Sequence, residues 1–393
     1  MDVKFQINDD LKIQFEEICD ELGIDPTTVV KMFVKATVCN SKIPFNIKES
    51  VLNEMIIERK EKLAHDYKTE INIVLSRYSE DKRDEIYDKI LEDIYNIKCV
   101  SNLSIKEYFE LSLYRFPKEE WAATYLSDED TKTIIRRLNE RVPGIDMGNK
   151  YVCYEQLKRF YKRDAMCLHK PEDKYEFVFF VKKHGRVLLK PNRGSLGNGI
   201  ELLRYEDVTD WDKYVSDKLV ESKAGFIVEE VITQDSDMAV FNPSSVNTLR
   251  VTTLRMDDEI HAHVFMRVGA NGSIVDNAAK GGFICKLNRD TGEILEVFNT
   301  KGERFEYHPD TNVKIVGKYV PAIEKAIRMA KEAAKAMPHY RYIGFDFAKV
   351  NDQWVMIEFN NRSGIVGVQS TLDRGLKQAF MKVFEKLGKD VDF

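Results

Sequence analysis

The chain has 393 residues, 43% apolar and 32% charged, with ten prolines, which is a folded composition with enough apolar material for two to four packed units. Sixty Lys and Arg stand against 65 Asp and Glu, a net charge of −5, so a global basic footprint for nucleic acid is excluded. No apolar run approaches the length of a membrane span, and the first thirty residues lack the basic start and apolar core of a signal peptide. The six cysteines are scattered without a CxxC pair or His partners, which predicts free thiols in a reducing, cytoplasmic setting.

In residues 1–47, Val3, Phe5 and Ile7 alternate with Lys4, Gln6 and Asn8 as in a short strand. From Asp9 the period becomes helical, with Leu11, Phe15, Ile18 and Leu22 on one face and Gly23 as the stop. Asp25-Pro26 opens a second helix, whose apolar face is Val29, Val30, Phe33, Val34 and Val38, and Pro44 ends it. One strand and two helices bury little alone, and a strand with a polar face wants a partner, most simply from a second copy. The opening VKFQINDDLK, the ELGIDPTT turn and the closing KIPFNI resemble the ribbon-helix-helix fold of RelB/DinJ-type antitoxins. In that family paired strands can enter a DNA major groove, which here would present Lys4, Gln6 and Asn8. Five lysines against eight acids give this segment a net of −3, so charge favours a module that only makes a homodimer over one that binds DNA.

Residues 48–149 are predicted to be helical. SVLNEMIIERKEKLAHDYKTEINIVL and DKRDEIYDKILEDIYNI carry apolar residues at three-to-four spacing with mixed charges opposite, a solvated face without evident chemistry. Asn102–Ile105 and Phe116-Pro117 mark boundaries, and a connecting helical bundle is expected.

Residues 150–393 carry the signal. A short apolar strand, Val187–Leu189, leads into Lys190-Pro191-Asn192-Arg193-Gly194-Ser195-Leu196-Gly197-Asn198-Gly199 and a second strand from Ile200 to Leu203. Three glycines let backbone N–H groups turn toward an anion, and Lys190 can add a point charge. The Walker spacing is absent and a strand follows the loop, which weakens P-loop and Rossmann readings. Phe226–Ile232 is a strand running into Glu229 and Glu230. Asn247–Arg255 is a strand with Arg250 embedded among β-branched residues, where a buried guanidinium needs an anion. Ile343–Ala348 and Trp354–Asn360 flank Asn351-Asp352-Gln353, and a three-residue loop sets Asp346 opposite Glu358 with Asn360 two residues on. Two facing carboxylates repel unless a cation lies between them, and no Lys or Arg partners them within the two strands. Oxygen ligands of this kind suit Mg²⁺ with nucleotide phosphates. His261 and His263 share a strand face, but without a third ligand they read as structural.

The order of KPNRGSLGNGI, EEVI, SSVNTLRVTTLR, RVGANGSIVDNAAKGGF with KLNRDTGEI, and GFDFAKVNDQWVMIEFNNRSG resembles the ATP-grasp superfamily, and more closely its sugar-transfer-associated branch, from about Tyr108 to Gln369. The resemblance implies an α+β fold in which two subdomains grip ATP. It also implies that Lys150, Lys190 and the loop glycines Gly194, Gly197 and Gly199 with Ser195 hold the phosphates. Glu229, Glu230 and Ile232 would meet adenine and ribose, with Asp235 or Asp237 as further ribose candidates. Arg250 would face the γ-phosphate as a catalytic group beside Lys190, and Asp346, Glu358 and Asn360 would bind magnesium. Arg267, Asn277, Gly281 and Gly282 match a block of that branch assigned to the acceptor substrate. Asn361-Arg362-Ser363 departs from the proline-containing form common after the metal-binding Asn. The activity implied is ligation of a small-molecule carboxylate and an amine through an acyl phosphate, of the kind that joins an amino acid to a sugar acid or glycan precursor. A small-molecule kinase on the same fold and a DNA-binding antitoxin-like regulator stay open as alternatives. The intact Lys, Arg and Asp/Glu/Asn set argues against a degenerate ATP site.

Overall fold

A computed structural model describes residues 9–40, 49–194, 197–256, 259–270, 272, 276 and 281–389. Two compact units are present, Met1–Lys62 and Leu63–Phe393. Among the described residues no helix is long and apolar enough to cross a membrane.

In the first unit, helices run from Asp9 to Leu22 and from Pro26 to Asn40. Gly23 at φ 63° ends the first, because a left-handed residue cannot continue the helix. The Asp25 carboxylate accepts from the Thr28 N–H at 3.0 Å and starts the second. Cys19 is the one buried side chain of this unit among the described residues, whereas Leu11, Ile13, Ile18, Leu22, Val34 and Val38 are exposed. The strand expected over Val3–Asn8, with Lys4 and Gln6, and the segment 42–47 lie outside the described residues.

The second unit is α+β. A four-stranded antiparallel sheet is built from β1 (Ala165–Leu168), β2 (Arg186–Pro191), β3 (Glu201–Arg204) and β4 (Phe226–Glu230), in the order β1-β4-β2-β3. A six-stranded sheet contains β5 (Thr248–Met256), β6 (Glu259–Val268), β7 (Phe283–Leu287), β8 (Ile294–Phe298), β9 (Tyr342–Val350) and β10 (Gln353–Asn360), in the order β10-β9-β5-β6-β7-β8. The largest core lies between this sheet and the helices Lys150–Tyr161 and Ile323–Ala336, whose alanines at 326, 330, 333 and 334 allow close approach. A smaller core joins β1, β2 and β4 to helices Lys174–His184 and Trp211–Glu221.

The residues from Leu63 to Leu138 form helices as their period predicts, and Ser104 and Ser127 start two of them with reciprocal capping boxes. They are more than a connector. Tyr108, Phe109 and Trp121 share a core with Val366, and the buried Gln369 amide bonds both the N–H (2.9 Å) and the C=O (2.7 Å) of Leu126. Asn139 likewise bonds the backbone of Tyr342 and Asn361.

The β9–β10 hairpin corrects one expectation. Its loop has two residues, Asn351 and Asp352, both left-handed at φ 50° and 58°, the backbone twist that two-residue hairpins favour. Val350 pairs with Gln353, and a bulge at Ile357 then shifts the register so that Asp346 does face Glu358.

Candidate active site

Residues of both sheets line one cleft of about 240 Å³. On the β2–β4 side, alternation aims Leu188 and Lys190, with Ile227 and Glu229, into it. Glu229 is almost fully buried and accepts from Lys190 Nζ at 2.5 Å and from Arg163 at 2.6 Å. Burial alone would raise the Glu229 carboxyl, but Arg163 and Lys190 outweigh it and hold it below the usual range. Its side chain is thus engaged in positioning Lys190, and Glu230, Val231 and Ile232 form the neighbouring lining of the cleft.

Lys150 opens the helix Lys150–Tyr161, which Asn149 caps by accepting from Tyr151 N–H at 2.9 Å. Its ammonium donates to the carbonyls of Gly194 (2.7 Å) and Pro191 (3.2 Å). Burial lowers its pKa, and Lys190 nearby adds to that. The loop between β2 and β3 needs Gly199, at φ 70°, because a Cβ there would stand 2.8 Å from Pro191 Cγ. Gly194 and Gly197 line the cleft, whereas Ser195 lies outside the described residues.

On the other sheet, β5 lies beside β9 and sets Arg250 opposite Asp346. Arg250 holds Asp346 through its Nε and through a terminal nitrogen at 3.0 Å, and Arg267 from β6 reaches the same carboxylate at 2.9 Å. Arg267 also contacts Asp276 at 3.4 Å and Thr248 at 3.1 Å. As expected, no Lys or Arg within the two hairpin strands partners the acid pair, but Arg250 and Arg267 reach Asp346 from the neighbouring strands β5 and β6. Burial pushes Asp346 up, yet the two guanidinium groups hold it below the usual carboxylate range. Glu358 differs. Burial and then the charge of Asp346 raise its pKa, and among the described residues its carboxylate has no hydrogen-bond or ion-pair partner. A half-buried, unpartnered carboxylate facing a buried second carboxylate is a donor set that fits a hard divalent cation. Asn360 sits on the same face, and its side-chain oxygen accepts from Arg362 N–H at 2.9 Å.

Other predicted residues fall elsewhere. Asn277 lies outside the described residues. Gly281, at φ 91°, and Gly282 do not line the cleft. Asp235 and Asp237 pair with Lys349, at 3.0 and 2.8 Å, Asp235 also accepts the N–H groups of the hairpin turn, and neither lines the cleft. His263 bonds Thr371 at 2.7 Å and His261 is exposed, in keeping with structural roles. Sequence reasoning missed Arg163, Asp276 and Thr248. Arg163 follows a helix without any periodic signal. Asp276 and Thr248 sit in segments already singled out, the glycine-rich block and the strand that carries Arg250.

Residues 130–385 match the family described as sugar-transfer associated ATP-grasp. The chain belongs to that family. Residues 1–72 match the RelB antitoxin family, extending the resemblance beyond the first 47 residues. Among solved structures the chain is similar to D-alanyl-alanine synthetase A from Vibrio cholerae, at 11% identity and TM-score 0.35 over 58% of this chain and 64% of that one. It is also similar to D-alanine–D-alanine ligase from Helicobacter pylori, at 12% and 0.39 over 65% and 64%. A third is the ATP-grasp ligase PsnB complexed with minimal precursor, at 14% and 0.36 over 61% and 60%. The chain thus spans less than two thirds of the length of each. No curated protein matches it.

Proposed function

We propose that this sugar-transfer associated ATP-grasp protein is an ATP-dependent ligase that joins a small-molecule carboxylate to an amine. The observation that carries the reading is the facing Asp346–Glu358 pair, with Arg250 and Arg267 on one side and Lys190 and Lys150 across the same cleft. In this reading a substrate carboxylate oxygen attacks the γ-phosphorus of ATP, the bond to the β–γ bridging oxygen breaks, and ADP leaves. The acyl phosphate is then attacked by an amine, phosphate departs, and the amine proton passes to solvent. No protein nucleophile is required.

Lys190, held by Glu229, offers a fixed positive charge to the phosphates. Lys150 offers a second one, together with the N–H groups of the Gly194–Gly199 loop. Arg250 and Arg267, anchored on Asp346, stabilise charge that builds on the transferred phosphoryl group. Glu358, Asp346 and Asn360 would hold Mg²⁺, which when bound neutralises phosphate oxygens. Glu230 and Ile232 flank the position for adenine and ribose, and Arg267 that for the acceptor. The exposed apolar faces of the first unit support a homodimer made through residues 1–47, and the acidity of that segment disfavours DNA. The free thiols support a cytoplasmic setting.

The test is ADP release across a matrix of amino acids, sugar acids and amines, with mass detection of product. A ligase releases ADP and phosphate only when a carboxylate and an amine are supplied together. A stable phosphorylated product from one acceptor would replace the ligase by a kinase.

A further inference from the structure

A second concavity, of about 580 Å³, lies apart from the cleft, between the end of the helix Lys150–Tyr161 and one face of the helix Ile323–Ala336. Lys325, Arg328, Glu332 and Lys335 recur at three-to-four spacing, so they share the face opposite the alanines that pack on the sheet. Arg159 and Lys162 complete it from the other helix, over a floor of Phe160 and Met329. Five cations thus face a single acid. Among the described residues none of the five has a carboxylate within ion-pairing distance, and Lys162 bonds only the Gln353 amide, at 3.1 Å. Some exposed lysines elsewhere find one, as Lys132 does on Glu129 and Lys213 on Asp217, each at 2.7 Å, and others such as Lys106 and Lys223 do not. Arg328 and Glu332 have the spacing to pair and do not. Like charges gathered in a concavity repel each other and raise the local concentration of counter-anions.

We propose that this groove binds a small phosphate-rich polyanion, of the oligophosphate class, at a site separate from the cleft. Two guanidinium forks and three ammonium groups suit phosphate oxygens. Several negative charges must fit a discrete volume, a density that linked phosphates reach and a chain of spaced carboxylates does not. A concave site also suits a discrete anion better than a flat lipid surface. Phe160 and Lys162 face the groove, whereas Tyr161 and Arg163, their chain neighbours, face the cleft, so the two sites back onto one another without sharing a residue. The inference does not depend on the ligase reading.

The experiment is calorimetric titration of tripolyphosphate into the full chain, alone and with the cleft saturated by a non-hydrolysable ATP analogue. One site is expected to survive saturation and to weaken steeply as NaCl rises from about 50 to about 300 mM. In Lys325→Glu/Arg328→Glu its affinity falls by about tenfold or more, because two attractions become repulsions. Analogue binding in that variant stays unchanged, which reports an intact fold. Loss of all tripolyphosphate binding on saturation, or equal residual affinity in the variant, overturns the proposal. So does binding of the wild-type chain, but not the variant, to phosphatidylglycerol-containing vesicles with no residual tripolyphosphate site.

Discussion

Glu229→Gln tests whether the cleft is held together by its buried ion pairs. Glu229 is 3% exposed, and its two oxygens meet Arg163 at 2.6 Å and Lys190 at 2.5 Å. Glutamine keeps the shape but removes the carboxylate that pairs with both cations among the described residues, and its amide turns a donor toward one of them. Leaving buried charge uncompensated costs about 3–5 kcal/mol. With a urea dependence of about 3 kcal/mol per molar, the unfolding midpoint falls by about 1–1.7 M. Tryptophan fluorescence reports the relevant unit, since Trp121, Trp211 and Trp354 all lie within Leu63–Phe393. Nucleotide affinity should fall in the same variant, because Lys190 loses its anchor. Adding Arg163→Met to Glu229→Gln should cost less than the sum of the single changes, with a coupling of about 1.5 kcal/mol or more. A midpoint within about 0.2 M of wild type, together with unchanged nucleotide affinity, would refute the reasoning.

Glu358→Gln removes the unpartnered acid and its repulsion with Asp346, so Mg²⁺-dependent ADP release is expected to vanish while the metal-free urea midpoint holds or rises; retained turnover would remove Glu358 from the metal set. Asp346→Asn should also abolish turnover but lower the midpoint, since two arginines lose their shared anchor. Burial first, then Arg289, Arg374 and Lys286, lowers His263 from 6.5 to about 4, so the folded ring stays neutral where the unfolded one takes a proton. Stability is therefore lost as pH falls from about 6.5 to about 4, by at most about 3 kcal/mol, and a urea series should find that part of the decline missing in His263→Gln. Gly344→Ala places a Cβ 2.4 Å from Ser363 Oγ and is expected to cost about 1–3 kcal/mol. Ser363→Gly should recover most of that loss, and failure to do so would place the strain elsewhere.

What was legible in the sequence is what local chemistry encodes. The glycine loop, the strand with Arg250 inside it and the acid-bearing hairpin each carry their own period and turn residues, and their order along the chain carries the family. The pairings that make a site of them were not legible. Arg250 meets Asp346 because β5 lies beside β9, and Glu229 meets Lys190 because β4 lies beside β2; no local pattern specifies either neighbour. The engagement of Asp235 and Asp237 by Lys349, on a strand distant in sequence, was hidden for the same reason.

The hairpin is the most instructive case, because the facing acids were found through a loop of the wrong length. A two-residue turn with regular pairing onward would oppose Asp346 to Ile357 and turn Glu358 to the other face. The bulge at Ile357 prevents this. Arg163 donates to the carbonyls of Met356 and Ile357 on this edge strand while holding Glu229. One irregular residue therefore faces the two carboxylates toward each other and ties them, through Arg163, to the lysine on the opposite sheet. The two halves of the cleft are registered against each other by Arg163, which reaches from Glu229 on one sheet to the backbone of the edge strand β10 on the other.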